Sequence, residues 1–199
     1  MLRIAPLVFA FLALGSAPSF AADSATSATA VAVAGDKLPA PYLITDVGQG
    51  NTAKLVRTIL KSKVTFEFKE QAKADELGDA KTIIIGVGAS TKGLGAAGLD
   101  IDTETKRTEA ILKAAKDKGI KVVAVHLGGQ SRRGDLSDKL TRSVFEASAF
   151  GVVLKEGDED QFFTKLADEK KLKIETVEEK AAAGAALLKL LNASEGAAK

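Results

Sequence analysis

The chain has 199 residues, with 28 Lys and Arg against 26 Asp and Glu, a single His and no Cys. So even a balance gives no pull toward nucleic acid or an anionic membrane surface. The lack of cysteine excludes disulfides, thiol catalysis and a lipoprotein anchor.

Residues 1–21 run from Met1-Leu2-Arg3 through an apolar stretch, Ile4 to Leu14, to a small-residue exit, Ser19-Phe20-Ala21. This is the pattern of a secretory signal cleaved after Ala21, so a periplasmic or extracellular location is expected. The apolar run is shorter than the roughly 20 residues a spanning helix needs, and no later run is longer; no membrane span is expected in the mature chain. Residues 22–39 are mostly Ser, Ala, Thr, Val and Gly without a usable period and read as a flexible leader. Residues 40–192 suit a single α/β domain, and residues 193–199 read as a disordered tail.

Within the domain, short apolar runs alternate with helical stretches, as in a parallel sheet covered on both faces. Tyr42 to Val47, Thr82 to Val87, Val122 to Val125 and Val152 to Leu154 are nearly continuous in apolar or β-branched residues and are expected as central strands. Val64 to Phe68 and Leu172 to Glu175 alternate apolar with polar and fit the edges. Helices are expected over Asn51 to Lys61, Thr103 to Lys118 closed by Gly119, Ser137 to Phe150 closed by Gly151, Asp158 to Lys170 and Val177 to Leu191, with a weaker one over Glu70 to Leu77. Thr176 and Glu179 form a capping-box signature ahead of the last helix, whose Leu187, Leu188 and Leu191 face the core. The resulting fold class is a three-layer α/β/α sandwich of flavodoxin-like or Rossmann-like type. Its doubly wound, mostly parallel sheet of about six strands takes the order 2-1-3-4-5-6, with a crevice at the carboxyl ends of strands 1 and 3.

Three connections on that edge are long and rich in Gly, Ser, Gln and Arg, while the opposite turns are short. Surplus loop length is functional or disordered. The first holds Gly48, Gln49, Gly50 and Asn51, whose backbone N–H groups are expected to be free. Gly88, Ser90, Thr91, Lys92 and Gly93 lie in the second, and Gly129, Gln130, Ser131, Arg132 and Arg133 in the third, just after His126. Lys92 and the two arginines supply charge for a carboxylate or phosphate, and the amides and hydroxyls supply orientation. One arginine could instead pair with Asp135 or Asp138, leaving the other solvated.

Gly93 to Gly98 spell G-x-G-x-x-G, but the motif starts several residues after the strand and lacks the ribose-binding acid, so no cofactor is expected. Lys92 is followed by Gly93 where a P-loop needs Ser or Thr. With one His and no Cys no metal site is expected, and Asp100 with Asp102 reads as a helix N-terminal cap. Ser90 and Ser131 each sit in G-x-S-x-x-G, one residue off the nucleophile elbow. If the protein is an enzyme, His126 is the candidate base and Ser90 or Ser131 the nucleophile, with Asp46 as the orienting acid.

Leu43-Ile44-Thr45 running into Gly48-Gln49, the run from Gly88 to Asp100, and His126-x-Gly128-Gly129 with Arg132-Arg133-Gly134 and Ser137-Asp138 together carry a family resemblance. Over most of residues 40–192 the chain resembles a family of small exported bacterial and archaeal proteins catalogued as a domain of unknown function. The resemblance implies an extracytoplasmic α/β sandwich and assigns no activity. The residues themselves favour a module binding a small polar or anionic molecule. A Ser/His hydrolase at the same crevice and a scaffold docking another exported protein are the competing readings.

Overall fold

A computed structural model describes residues 37–191. The expected signal, most of the leader and the tail lie outside the described residues. Leu38, assigned by composition to the leader, belongs to the domain: it is buried, its N–H donates to the Leu190 carbonyl at 2.6 Å, and it bridges Leu191.

The sheet has six strands: β1 Tyr42–Val47, β2 Phe66–Phe68, β3 Thr82–Val87, β4 Lys121–His126, β5 Phe150–Leu154 and β6 Ile174–Val177. All neighbours are parallel and the order is β2-β1-β3-β4-β5-β6, as the sequence predicts. β1 and β3 are buried along their whole length, which is why they read as unbroken apolar runs. The helices are α1 Thr52–Leu60, α2 Thr91–Ala96, α3 Ile101–Asp117, α4 Asp135–Glu146, α5 Phe162–Lys170 and α6 Ala183–Leu190. Alternate strand residues divide the core in two. Leu43, Ile83, Ile85 and Val153 pack under α3, α4 and α5, and Ile44, Ile84, Val123 and Val152 pack under α1 and α6. The connections from β1 and β3 therefore leave toward opposite faces, and the crevice between them opens at their carboxyl ends. Among the described residues no helix is long and apolar enough to cross a membrane.

Several local expectations shift. Asp100 caps α3 as expected, its Oδ1 accepting the Thr103 N–H at 2.7 Å, and Gly119 closes the helix at φ 67°. Gly151 is not a helix stop: α4 ends at Glu146, Phe150 and Gly151 lie in β5, and a Cβ at Gly151 would stand 2.8 Å from a Phe145 ring carbon. Thr176 is in β6, opposite Val153, and so cannot cap α6, which starts at Ala183 after a 3₁₀ turn over Lys180–Ala182. The helix expected over residues 70–77 is a 3₁₀ turn, Ala74–Glu76, while the one expected over Asp158 to Lys170 forms as α5, which starts at Phe162 after a 3₁₀ turn over Lys155–Asp158. Most of the G-x-G-x-x-G run is helical: Gly93 and Gly95 belong to α2, which Ser90 caps.

Gly86 of β3 is what lets α1 lie against the sheet, because a Cβ there would come within 2.3 Å of the Ala53 nitrogen. Gly86→Ala should therefore lower the unfolding free energy by about 3 kcal/mol, the upper end for overpacking, since a backbone must move. Gly95 has open space around it, and Gly95→Ala should raise stability by ~0.5–1 kcal/mol through helix propensity. Urea unfolding of the two variants beside the parent reads both signs.

Candidate functional site

β1 ends in a sharp turn: Gly48, Gln49 and Asn51 have φ of 87°, 56° and 68°. Two buried carboxylates hold it. Asp46, the penultimate residue of β1, accepts the Gly50 N–H at 3.1 Å with Oδ1 and the Ala53 N–H at 2.9 Å with Oδ2. Glu104 of α3 accepts the Gly48 N–H at 2.6 Å. Arg107 completes the cluster, pairing with both oxygens of Glu104 at 2.7 and 2.8 Å and donating to the carbonyls of Asp46 at 2.6 Å and Ala72 at 2.8 Å. The expectation that this turn offers free N–H groups thus fails at Gly48 and Gly50, whose donors are already taken by side chains from within the fold.

Close backbone approach brings the other loops to this turn. The Ser90 N–H donates to the Gly48 carbonyl at 2.8 Å, and a Cβ on Gly93 would stand 2.1 Å from the Gln49 carbonyl oxygen. Ser137 ties the third loop in, its Oγ accepting the Ala89 N–H at 2.9 Å and donating to the Arg132 carbonyl. On the far side, the Glu70 carbonyl accepts from the Asp46 N–H at 3.0 Å, placing the segment after β2 beside β1.

Together these segments enclose a groove of about 520 Å³. The turn after β1 and the start of α1 contribute Gln49, Asn51 and Lys54, and the segment after β2 contributes Glu70 and Gln71. Ser90, Lys92 and Gly93 of the second loop and Arg132 of the third close it. Lys54 pairs with Glu70 at 2.7 Å. Lys92 and Arg132 have no carboxylate partner among the described residues, so the groove wall carries two unpaired cationic side chains. Gln49 is only 4 % exposed and its Nε2 has no hydrogen-bond partner.

The expected site residues therefore separate. Gln49, Asn51, Ser90, Lys92, Gly93 and Arg132 share the groove, with Gly48, Gly50 and Gly88 packed behind it as close backbone contacts. Thr91, Gly129, Gln130, Ser131, Arg133 and His126 do not line it. Arg133 is turned inward, its side chain 7 % exposed, forked between Asp138 at 2.7 and 3.0 Å and Asp160 at 2.9 Å and lying 4.3 Å over the Phe162 ring. Burial disfavours its charge, but the two carboxylates outweigh that, and Arg133 in turn holds the Asp160 carboxyl down at about 2. The pairing with Asp138 is the structural alternative read from the sequence.

His126 is fully buried, with Nδ1 3.1 Å from the Val87 carbonyl, Nε2 3.4 Å from the Gly129 carbonyl and its ring 4.9 Å from that of Phe163. Burial lowers its pKa below the ordinary value, so it stays neutral at pH 7 without access to a substrate. Ser90 Oγ accepts the Gly93 N–H at 3.1 Å and Ser131 Oγ donates to the Gly128 carbonyl at 2.9 Å. The candidate triad with Asp46 is not assembled; each member serves a local bond.

Lys54, Glu70 and Gln71 escaped the sequence reading: Glu70 and Gln71 follow β2, whose short edge strand gives no loop signal, and Lys54 lies in the first turn of α1, where a lysine reads as an ordinary solvated helix residue. Glu104 had a signal: it stands in the buried stripe of α3 with Thr108, Ile111 and Ala115, where a carboxylate needs a partner.

The fold and groove define a class: a doubly wound parallel α/β domain with its candidate site at the topological switch point. A family model described as a domain of unknown function, DUF6305, matches residues 39–191, and the chain belongs to that family. No curated protein and no solved structure matches it.

Burial, reinforced by the charges of Glu104 and Glu70, pushes the Asp46 carboxyl up to about 7 against the pull of its two N–H donors. Between pH 4 and 7 the unfolded chain has released this proton while the folded chain keeps it. Stability contributed by Asp46 is thus complete at acid pH and is lost as pH rises through about 7. On going from pH 4.5 to 8 the protein should lose about 3 kcal/mol more unfolding free energy than Asp46→Asn does, at 1.36 kcal/mol per unit. Chemical denaturation of both at the two pH values measures the difference.

Proposed function

We propose that this domain is an exported binding module that holds a small anionic or polar molecule in the groove between β1 and β3. The observation that carries the reading is the composition of the groove wall. Lys92 and Arg132 lack carboxylate partners beside a buried, unpartnered Gln49 amide, and all three come from loops that converge on one opening. Charge-assisted bonds contribute about 1.5–3 kcal/mol each and micromolar affinity needs about 8, so several donors must act together. This groove gathers three. The docking-scaffold reading lacks comparable support, since among the described residues Leu136 is the one large apolar side chain classed as exposed. The hydrolase reading lacks an accessible base.

A thermal-shift screen over organic acids, phosphates and sugars tests the proposal. A ligand at about ten times its Kd should raise the melting temperature by about 3–5 °C. Arg132→Ala and Lys92→Ala should each weaken binding about tenfold or more without unfolding the domain. If no compound shifts the transition and the double variant behaves like the parent, the binding proposal falls.

Export rests on the pattern of residues 1–21. Protein recovered from the periplasm or medium should begin at Ala22, and a cytosolic chain retaining Met1 would overturn the assignment.

A further inference from the structure

Resting on the binding reading above, the geometry points to a ligand class: an oxyanion, carboxylate or phosphate, bearing a hydroxyl that reaches Gln49. Position 49 is an unfavourable place for this residue. Its backbone is left-handed at φ 56°, where glycine is preferred and where both sequence neighbours are glycine. Its side chain is 4 % exposed, and its Nε2 bonds to nothing in the fold. An unmet buried donor destabilises a protein, and at position 49 that cost is added to a left-handed backbone. Its place in the groove wall beside Ser90, Lys92 and Arg132 supplies a reason for an amide there.

The N–H groups of Gly50, ahead of α1, and of Ala53 within it are occupied by Asp46, and the cations in the groove wall are Lys92 and Arg132, so these side chains meet the anion. With charge neutralised there, the Gln49 amide turns onto a neighbouring hydroxyl of the same ligand. A hydroxyl both accepts and donates, and it therefore satisfies either end of an amide. Hydroxy acids, sugar acids and sugar phosphates share this chemistry, and simple anions of equal charge lack it.

Titration calorimetry with matched pairs separates these levels: malate against succinate, and glycerol 3-phosphate against inorganic phosphate. In the parent protein the hydroxylated member of at least one pair should bind about tenfold tighter or more, and which pair responds distinguishes carboxylate from phosphate. In both Gln49→Met and Gln49→Gly that ratio should collapse toward one while the simple anion keeps its affinity. Ligand-free, both variants should melt about 2–4 °C higher, because the orphaned donor is gone. A ratio near one in the parent, a ratio unchanged in both variants, or a lower melting temperature in both overturns the role of Gln49 and leaves the anion site standing. If none of the four compounds binds, this inference is lost, whereas the binding reading itself falls only if the wider thermal-shift screen is also blank.

Discussion

A single guanidinium organises the carboxyl edge of the sheet. Arg107 grips Glu104 with both oxygens and reaches two carbonyls, at Asp46 in β1 and at Ala72 beyond β2. Glu104 then holds the Gly48 N–H, and Asp46 holds those of Gly50 and Ala53. Two buried acidic side chains, Glu104 held by the arginine and Asp46 by backbone N–H groups, would be costly if any bond were missing, so the network imposes one geometry on the turn. The left-handed run at Gly48, Gln49 and Asn51 is over-determined by these bonds, and the groove inherits its shape from them.

Spending the donors of the β1 turn on internal carboxylates changes what kind of recognition is open to the site. Many folds of this class present phosphate to the N-terminus of the first helix. Here the N–H groups of Gly50 and Ala53 are already taken by the Asp46 carboxyl, and the approaching backbones pack closely around it. Glycine makes the packing possible at a few points: at Gly50 a Cβ would stand 2.3 Å from the Gly88 carbonyl oxygen, and at Gly93 it would stand 2.1 Å from that of Gln49. Recognition passes outward to side chains on the rim, and the groove becomes selective through charge and amide chemistry rather than through a backbone nest.

Adjacent arginines on one loop take opposite parts. Arg133 is a pillar, joining Asp138 of α4 to Asp160 ahead of α5 and covering Phe162, next to the sealed His126 and Phe163. Arg132, one residue earlier, lies across Gly128 and Gly88 and faces the groove. The backbone sets this division: Arg132 ends the 3₁₀ turn over Gln130–Arg132 and Arg133 follows in extended backbone at φ −103°, so the two side chains leave in different directions. The third loop is thereby anchored by one cation and presents the other.

The strand order, the burial of β1 and β3 along their full length and the gathering of three loops at one edge were all legible in the chain. Hydrophobic period, β-branched runs and glycine placement are local properties that each segment carries with it. Gly119 as a helix stop and Asp100 as a cap were read correctly for the same reason. Gly151 and Thr176 were misread because a strand position and a helix terminus tolerate the same residue, and only the neighbouring Phe145 and Val153 decide between them. Which arginine turns inward, whether His126 meets solvent, and where the Gly48 and Gly50 N–H groups are spent depend on partners 56 residues away, as for Gly48 and Glu104, or 39 away, as for His126 and Val87. By itself the sequence determined the sheet and the edge that carries the site. The division of that edge into scaffold and groove was decided by tertiary structure, since hydrogen-bond satisfaction is settled only when distant segments meet.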